Sequence, residues 1–173
     1  MIVLVGASAA GKSTWAAERY RDVEIVASDD LRGIVGSGSA DQGASGDAFA
    51  LLNQILAART KRRLTTVVDA TSLQRKLRMG YLAQARSTQL PAVLVILDTD
   101  PSMCRARNAA RDRRVPAAVL DQQLRQVAHV VEQAPSEGWD AILHVRQGGP
   151  SPTSDPVPPT GRRKLASSKR GCA

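Results

Sequence analysis

Aromatic residues are scarce in this chain of 173 residues, with two Trp, two Tyr and one Phe making up 3% of it. A nucleic acid bound to it would find few ring faces for base stacking, so recognition would have to rely on contacts to phosphates. Cysteine is nearly as rare. Cys104 and Cys172 stand far apart, form no C-x-x-C pair and cluster with neither His129 nor His144. That excludes a disulfide framework and a Cys/His metal centre, and predicts free thiols in a reducing cytoplasm. Long apolar runs are missing too. The amino-terminal stretch Ile2-Val3-Leu4-Val5 is too short for a signal-peptide core or a membrane span, so a soluble, cytoplasmic protein without membrane contact is expected. No internal repeat is visible.

What is present is basic charge, unevenly spread. The net charge is +8, and the segment 147–173 holds Arg162, Arg163, Lys164, Lys169 and Arg170 against the single acid Asp155. The same segment has five of the nine prolines and no apolar periodicity, so it cannot bury enough surface to offset its ordering entropy. Two units follow from this: a domain over residues 1–146, long enough for a full core without disulfide or metal staples, and a disordered, basic, proline-rich tail over 147–173. The tail's basic clusters could touch nucleic-acid phosphates or simply be solvated.

Directly after the first apolar run, Gly6-Ala7-Ser8-Ala9-Ala10-Gly11-Lys12-Ser13 fits G-x-x-x-x-G-K-[ST] without mismatch, and Thr14-Trp15-Ala16-Ala17-Glu18-Arg19 reads as a helix behind it. A strand, a glycine-permitted turn and a helix start together aim backbone N–H groups and a positive dipole end at one point, which is a cradle for phosphates. Gly6 through Thr14 are the nucleotide-binding candidates. Lys12 would bridge the terminal phosphates of ATP or another NTP, and the hydroxyl of Ser13 would join the shell of Mg²⁺.

Further strands are expected at Glu24–Ala27, Leu64–Val68, Ala92–Leu97 and Ala141–Val145. The run over 92–97 has the pattern of a strand buried on both faces, ended by Asp98. Between them, helical periodicity covers a stretch opening at Asp47 as N-cap, with Leu52, Ile55 and Leu56 inward. A basic helix follows over 73–87, then a helix from Pro101, and one opened by Pro116 with Leu120, Leu124, Val127 and Val131 on one face. The Gly/Ser-rich stretch 36–46 reads as a mobile loop. This alternation predicts an α/β P-loop NTPase, a three-layer sandwich around a mostly parallel five-stranded sheet, with ligands at the carboxyl ends of the strands.

Three constellations extend the phosphate loop. In Ser28-Asp29-Asp30-Leu31-Arg32, Asp29 could take the proton of an attacking hydroxyl while Arg32 holds a negative part of the acceptor; otherwise Asp29 caps a helix and Arg32 is a surface charge. Arg107 and Arg111, four apart, would share one helical face in an Arg-rich lid that closes over the transferring phosphate; otherwise they lie on a solvated face. Asp69 either holds Mg²⁺ or caps the next helix.

Taken with the blocks Val3-Leu4-Val5-Gly6 through Thr14, Ser28 through Gly33, Asp41-Gln42, Leu64 through Thr71 and Cys104 through Arg111, the chain resembles the kinase module of the bacterial end-healing polynucleotide kinase-phosphatases. These belong to a wider group of P-loop phosphotransferases. The resemblance spans residues 2–145 and implies NTP-dependent phosphorylation of a 5′-hydroxyl RNA or DNA end. It also implies Asp29 as general base, Arg32 on an acceptor phosphate, and Arg107 and Arg111 as lid arginines. Departures are Ser72 where the family often has Asn after Asp-Ala-Thr, and Gly36-Ser37-Gly38-Ser39 in place of an acidic run. Two other readings stand beside it: a kinase of a small-molecule hydroxyl (sugar, nucleoside or antibiotic), and a nucleotide-binding module that transfers nothing. Arg32 with the basic helix residues Arg75, Lys76 and Arg78 would favour an acceptor carrying its own phosphates.

Overall fold

The computed structural model describes residues 1–147; the expected basic tail from 148 onward lies outside the described residues. Five strands, β1 (Ile2–Val5), β2 (Ile25–Ala27), β3 (Val67–Asp69), β4 (Val93–Thr99) and β5 (Ala141–Gln147), form one sheet in the order β2-β3-β1-β4-β5, and every pairing is parallel. The α-helices are α1 (Lys12–Ala17), α2 (Ser28–Val35), α3 (Ser45–Lys61), α4 (Arg75–Ser87), α5 (Pro101–Ala109) and α6 (Ala117–Gln133). They cover both faces of the sheet. One apolar layer joins Val3, Val5, Leu94 and Ile96 to Leu52 and Leu56 of α3, Leu82 of α4 and Val127 of α6. The other packs Leu4, Val95 and Leu97 against Trp15 and Ala16 of α1 and Cys104 of α5. β4 is the buried central run that its composition predicts, and the three-layer α/β architecture is as expected.

Several boundaries differ, each for a local reason. Leu64 is not in β3: its N–H bonds the carbonyl of Arg59 at 3.0 Å behind Arg63 at φ 55°, so it closes the end of α3. Asp98 does not end β4, because β5 continues beside it, pairing Asp98 with Arg146 and Thr99 with Gln147. Gln147, assigned by composition to the tail, is therefore the last residue of the edge strand β5. Asp47 sits inside α3, not at its cap. The acid that caps this region is Asp41, which accepts from Gly43 and Ala44 N–H and turns 42–44 into a 3-10 turn inside the stretch expected to be a mobile loop. β2 does not adjoin β1, since β3 lies between them. Finally, α5 ends at Ala109, so Arg111 lies in the following loop and the shared helical face of Arg107 and Arg111 does not exist.

Candidate active site

β1 delivers the chain to the loop 6–13 at the carboxyl edge of the sheet. Gly6 has little room around it: a Cβ would stand 3.0 Å from the Leu97 carbonyl oxygen, closer than an ordinary contact. Gly11 is required by conformation, at φ 91°. Three outside groups fix the loop. Thr99 Oγ1 donates to the Ala10 carbonyl at 2.8 Å, Gly6 N–H donates to the Thr71 carbonyl at 3.2 Å, and Ser8 N–H donates to Gln123 Oε1 of α6 at 2.8 Å. Lys12, the first residue of α1, folds back so that Nζ donates to the carbonyls of Gly6 and Ala7 at 3.0 and 2.8 Å. Burial pulls its ammonium down to about 8; Arg111 pulls the same way, while the carboxylates of Asp69 and Asp29 oppose the shift. One cation thus feels both candidate carboxylates and one lid arginine.

Asp69, at the end of β3, is buried at 7% exposure, and no hydrogen bond from the described residues reaches its carboxylate. It does not cap α4, which begins at Arg75. Ser13 is exposed in the first turn of α1. Among the described residues no three His, Cys, Asp or Glu side chains form a metal cage. One hydroxyl and one buried carboxylate instead fit the way Mg²⁺ is held when phosphate oxygens and water complete its octahedron.

Asp29 lies in the first turn of α2, after β2. Arg32, one helical turn on, donates from Nη1 to Asp29 Oδ1 at 2.8 Å and to the Ser39 carbonyl at 3.0 Å. From the loop between α5 and α6, Arg113 Nη1 stands 3.7 Å from Asp29 Oδ2. The carboxylate is gripped from two sides yet stays 63% exposed in its side chain. Arg32 is neither a surface charge nor an outstretched hand: it is 7% exposed, and its buried Nε has no partner among the described residues.

The α5–α6 loop is pinned at its base by Asn108, whose Nδ2 donates to the Val115 carbonyl at 2.8 Å and whose Oδ1 accepts from Val115 N–H at 3.0 Å. Arg107, on α5, reaches the phosphate loop from the β5 side. Its Nη1 donates to Gln147 Oε1 at 3.0 Å, and both groups crowd the position a Cβ would take at Gly11. Arg107 and Arg111 therefore approach from different elements. Arg78, in contrast, leaves the site altogether. It is fully buried, forked onto Glu137, and donates to the Ser72 and Leu73 carbonyls, so the basic stretch of α4 has one fewer cation for any acceptor. The sequence pattern does not single out Gln123 or Gln147, and it places Arg113 in the Arg-rich segment without a role of its own; arginine and glutamine are common on solvated surfaces, and only the tertiary contacts mark these three.

An AAA domain family model, AAA_33, matches residues 1–130, three quarters of the chain, and the chain belongs to that family. Its fold is the P-loop kinase-like fold. Nothing among the curated proteins matches the sequence. Among solved structures, a chain of the Pnkp1/Rnl/Hen1 RNA repair complex is similar at 19% identity and TM-score 0.65, over 76% of this chain and 45% of that one. This chain thus spans less than half the length of that relative. A sugar kinase from Janibacter sp. HTCC2649 is similar at 17% identity and TM-score 0.55, over 84% and 83%. A gluconokinase from Sinorhizobium meliloti 1021 is similar at 20% identity and TM-score 0.56, over 86% and 83%.

Proposed function

We propose that this protein transfers the γ-phosphoryl group of ATP or another NTP to a hydroxyl, and that the hydroxyl is the 5′ end of an RNA or DNA strand. The observation that carries the transfer reading is Asp29, an exposed carboxylate braced by two arginines beside the buried ammonium of Lys12. A carboxylate held this way is oriented to take a hydroxyl proton as the oxygen attacks. Lys12 exchanges its two loop carbonyls for donor phosphate oxygens, and loop N–H groups cradle the rest. Ser13 and Asp69 would hold Mg²⁺, which would offset the charge of the donor phosphates. Arg107 and Arg111 neutralise the charge on the transferring oxygens from two sides. Arg32 positions Asp29; holding an acceptor phosphate as well requires its buried Nε–H, which has no partner among the described residues, to become accessible. Similarity to a chain of an RNA repair complex supports the polynucleotide acceptor.

The second reading, a small neutral hydroxyl acceptor, is favoured by the burial of Arg32 and Arg78, and the sugar kinase and gluconokinase neighbours are in keeping with it. Transfer of labelled γ-phosphate to a short 5′-hydroxyl oligonucleotide, run beside sugars, nucleosides and aminoglycosides, separates the two. Label on the oligonucleotide alone supports the first. Label only on compounds without a nucleobase rejects it.

A further inference from the structure

Beside the phosphate loop, between α3, the start of α4 and α6, lies a half-open cavity of about 270 Å³. It touches the loop at two points: Gln123 in its lining accepts from Ser8 N–H, and Thr71 in its lining accepts from Gly6 N–H. A group seated in it is therefore next to the end of the loop where the donor phosphates would lie. The lining has an unusual make-up for a site flanked by so many arginines. None of its residues is ionisable. Four are glutamines, Gln74 from the edge of α4 and Gln122, Gln123 and Gln126 from α6. Its apolar wall is Phe49, Leu73, Leu77 and Val119, and Phe49 is the single phenylalanine of the chain. Between lining residues Thr71 and Leu73, Ser72 sits at φ 47°, and its buried hydroxyl has no partner among the described residues.

A carboxamide offers a donor and an acceptor side by side, which matches the edge of a neutral heterocycle and has little to offer a phosphate or an ammonium ion. An aromatic and leucine wall suits the face of the same ring. The volume, close to the lower end of ligand pockets at about 300 Å³, suits one ring system rather than a length of polymer. We infer that this cavity receives the nucleobase attached to the accepting sugar, reading its edge with the α6 glutamines. The inference rests on the kinase reading, and it reverses the expectation that scarce aromatics leave only phosphate contacts for recognition.

The test uses the full chain with a non-hydrolysable ATP analogue present. Binding is measured for a 5′-hydroxyl oligonucleotide, for the same strand with an abasic 5′-terminal residue, and for the free nucleoside, in wild type and in Gln126→Leu and Gln122→Leu. The wild type should bind the intact end about ten- to a hundredfold more tightly than the abasic end. Either leucine variant should shrink that ratio towards one while leaving affinity for the ATP analogue unchanged. Tight nucleoside binding identifies a free nucleoside as sufficient ligand; tight binding only of the strand identifies a polynucleotide end, and both support the base pocket. Equal wild-type affinity for intact and abasic ends overturns it, as does a ratio that neither variant alters. Loss of phosphoryl transfer from every acceptor with base-dependent binding intact would sink the kinase reading and leave the pocket standing.

Discussion

Two regions of this molecule bury cationic side chains, and they are finished to different degrees. Around Arg78 the charges balance: Glu137 takes the guanidinium fork, Trp139 Nε1 donates to the same carboxylate, and two backbone carbonyls with Gln133 Oε1 take the remaining three N–H groups. Burial alone would raise the Glu137 carboxyl, but hydrogen bonds from Arg78 and Trp139 and the arginine's charge outweigh it and leave it below the usual carboxylate range. Around Lys12 and Arg32 the pairing is left unfinished. Lys12 donates only to two carbonyls although the carboxylates of Asp69 and Asp29 both act on it, Arg32 Nε has no partner among the described residues, and Asp29 is mostly exposed. A saturated cluster is scaffold; an unfinished one is the kind of place where a ligand completes the pairing.

The contrast can be broken in graded steps. The largest effect should come from Asp29→Asn, which keeps the shape but cannot take a proton: kcat for transfer should fall about 10²- to 10⁴-fold with ATP affinity little changed. A collapse of ATP affinity instead would make Asp29 part of the donor site. Next, Glu137→Ala strands a buried guanidinium, and chemical denaturation should report a loss of about 3–5 kcal/mol. Because the Glu137 carboxyl is lowered in the folded state, its contribution is present above the ordinary carboxylate pKa and fades as pH falls through the lower folded value. If Glu137→Ala cost no stability, the balanced cluster would not be scaffold at all.

Arg32→Ala should reduce kcat/KM about ten- to a hundredfold for an acceptor with a 3′-phosphate, and less for the bare nucleoside. Equal losses for both would leave it as a positioning residue of Asp29 only. The smallest effect is in pH. Free Lys12 titrates at about 8, and bound phosphates would raise that value, so nucleotide binding takes up a proton at alkaline pH. The Kd for ATP should weaken by about tenfold per unit above that point, and calorimetry in buffers of different ionisation heat should show the proton. A flat profile between neutral pH and 9 would mean that Lys12 does not meet the phosphates.

The donor half was legible because its chemistry sits in one unbroken stretch: glycines, lysine and serine at fixed offsets between a strand and a helix specify the loop through local backbone geometry. Asp29 and Asp69 could be nominated because strand ends converge in a parallel sheet. What could not be read is what depends on distant segments meeting. Arg32, on the acidic α2, and Arg78, on the basic α4, both look like surface arginines, and it takes Ser39 and Glu137, brought in from elsewhere, to tie them down. Gln123 belongs to a polar helix face until the fold lays it against Ser8. Arg111 fell off its expected helix because Asn108 takes the Val115 backbone and starts a loop there.

That last contact has a thermodynamic consequence. The pair of bonds between Asn108 and Val115 closes residues 109–114 into a ring, so its arginines sample far fewer arrangements than they would on an open strand. Less conformational freedom is then surrendered when those arginines fasten onto a phosphate, and the affinity gained is entropic in origin. Asn108 touches no ligand in this scheme, yet loosening it with alanine should weaken nucleotide binding chiefly through a less favourable binding entropy, with the enthalpy of the arginine contacts nearly intact.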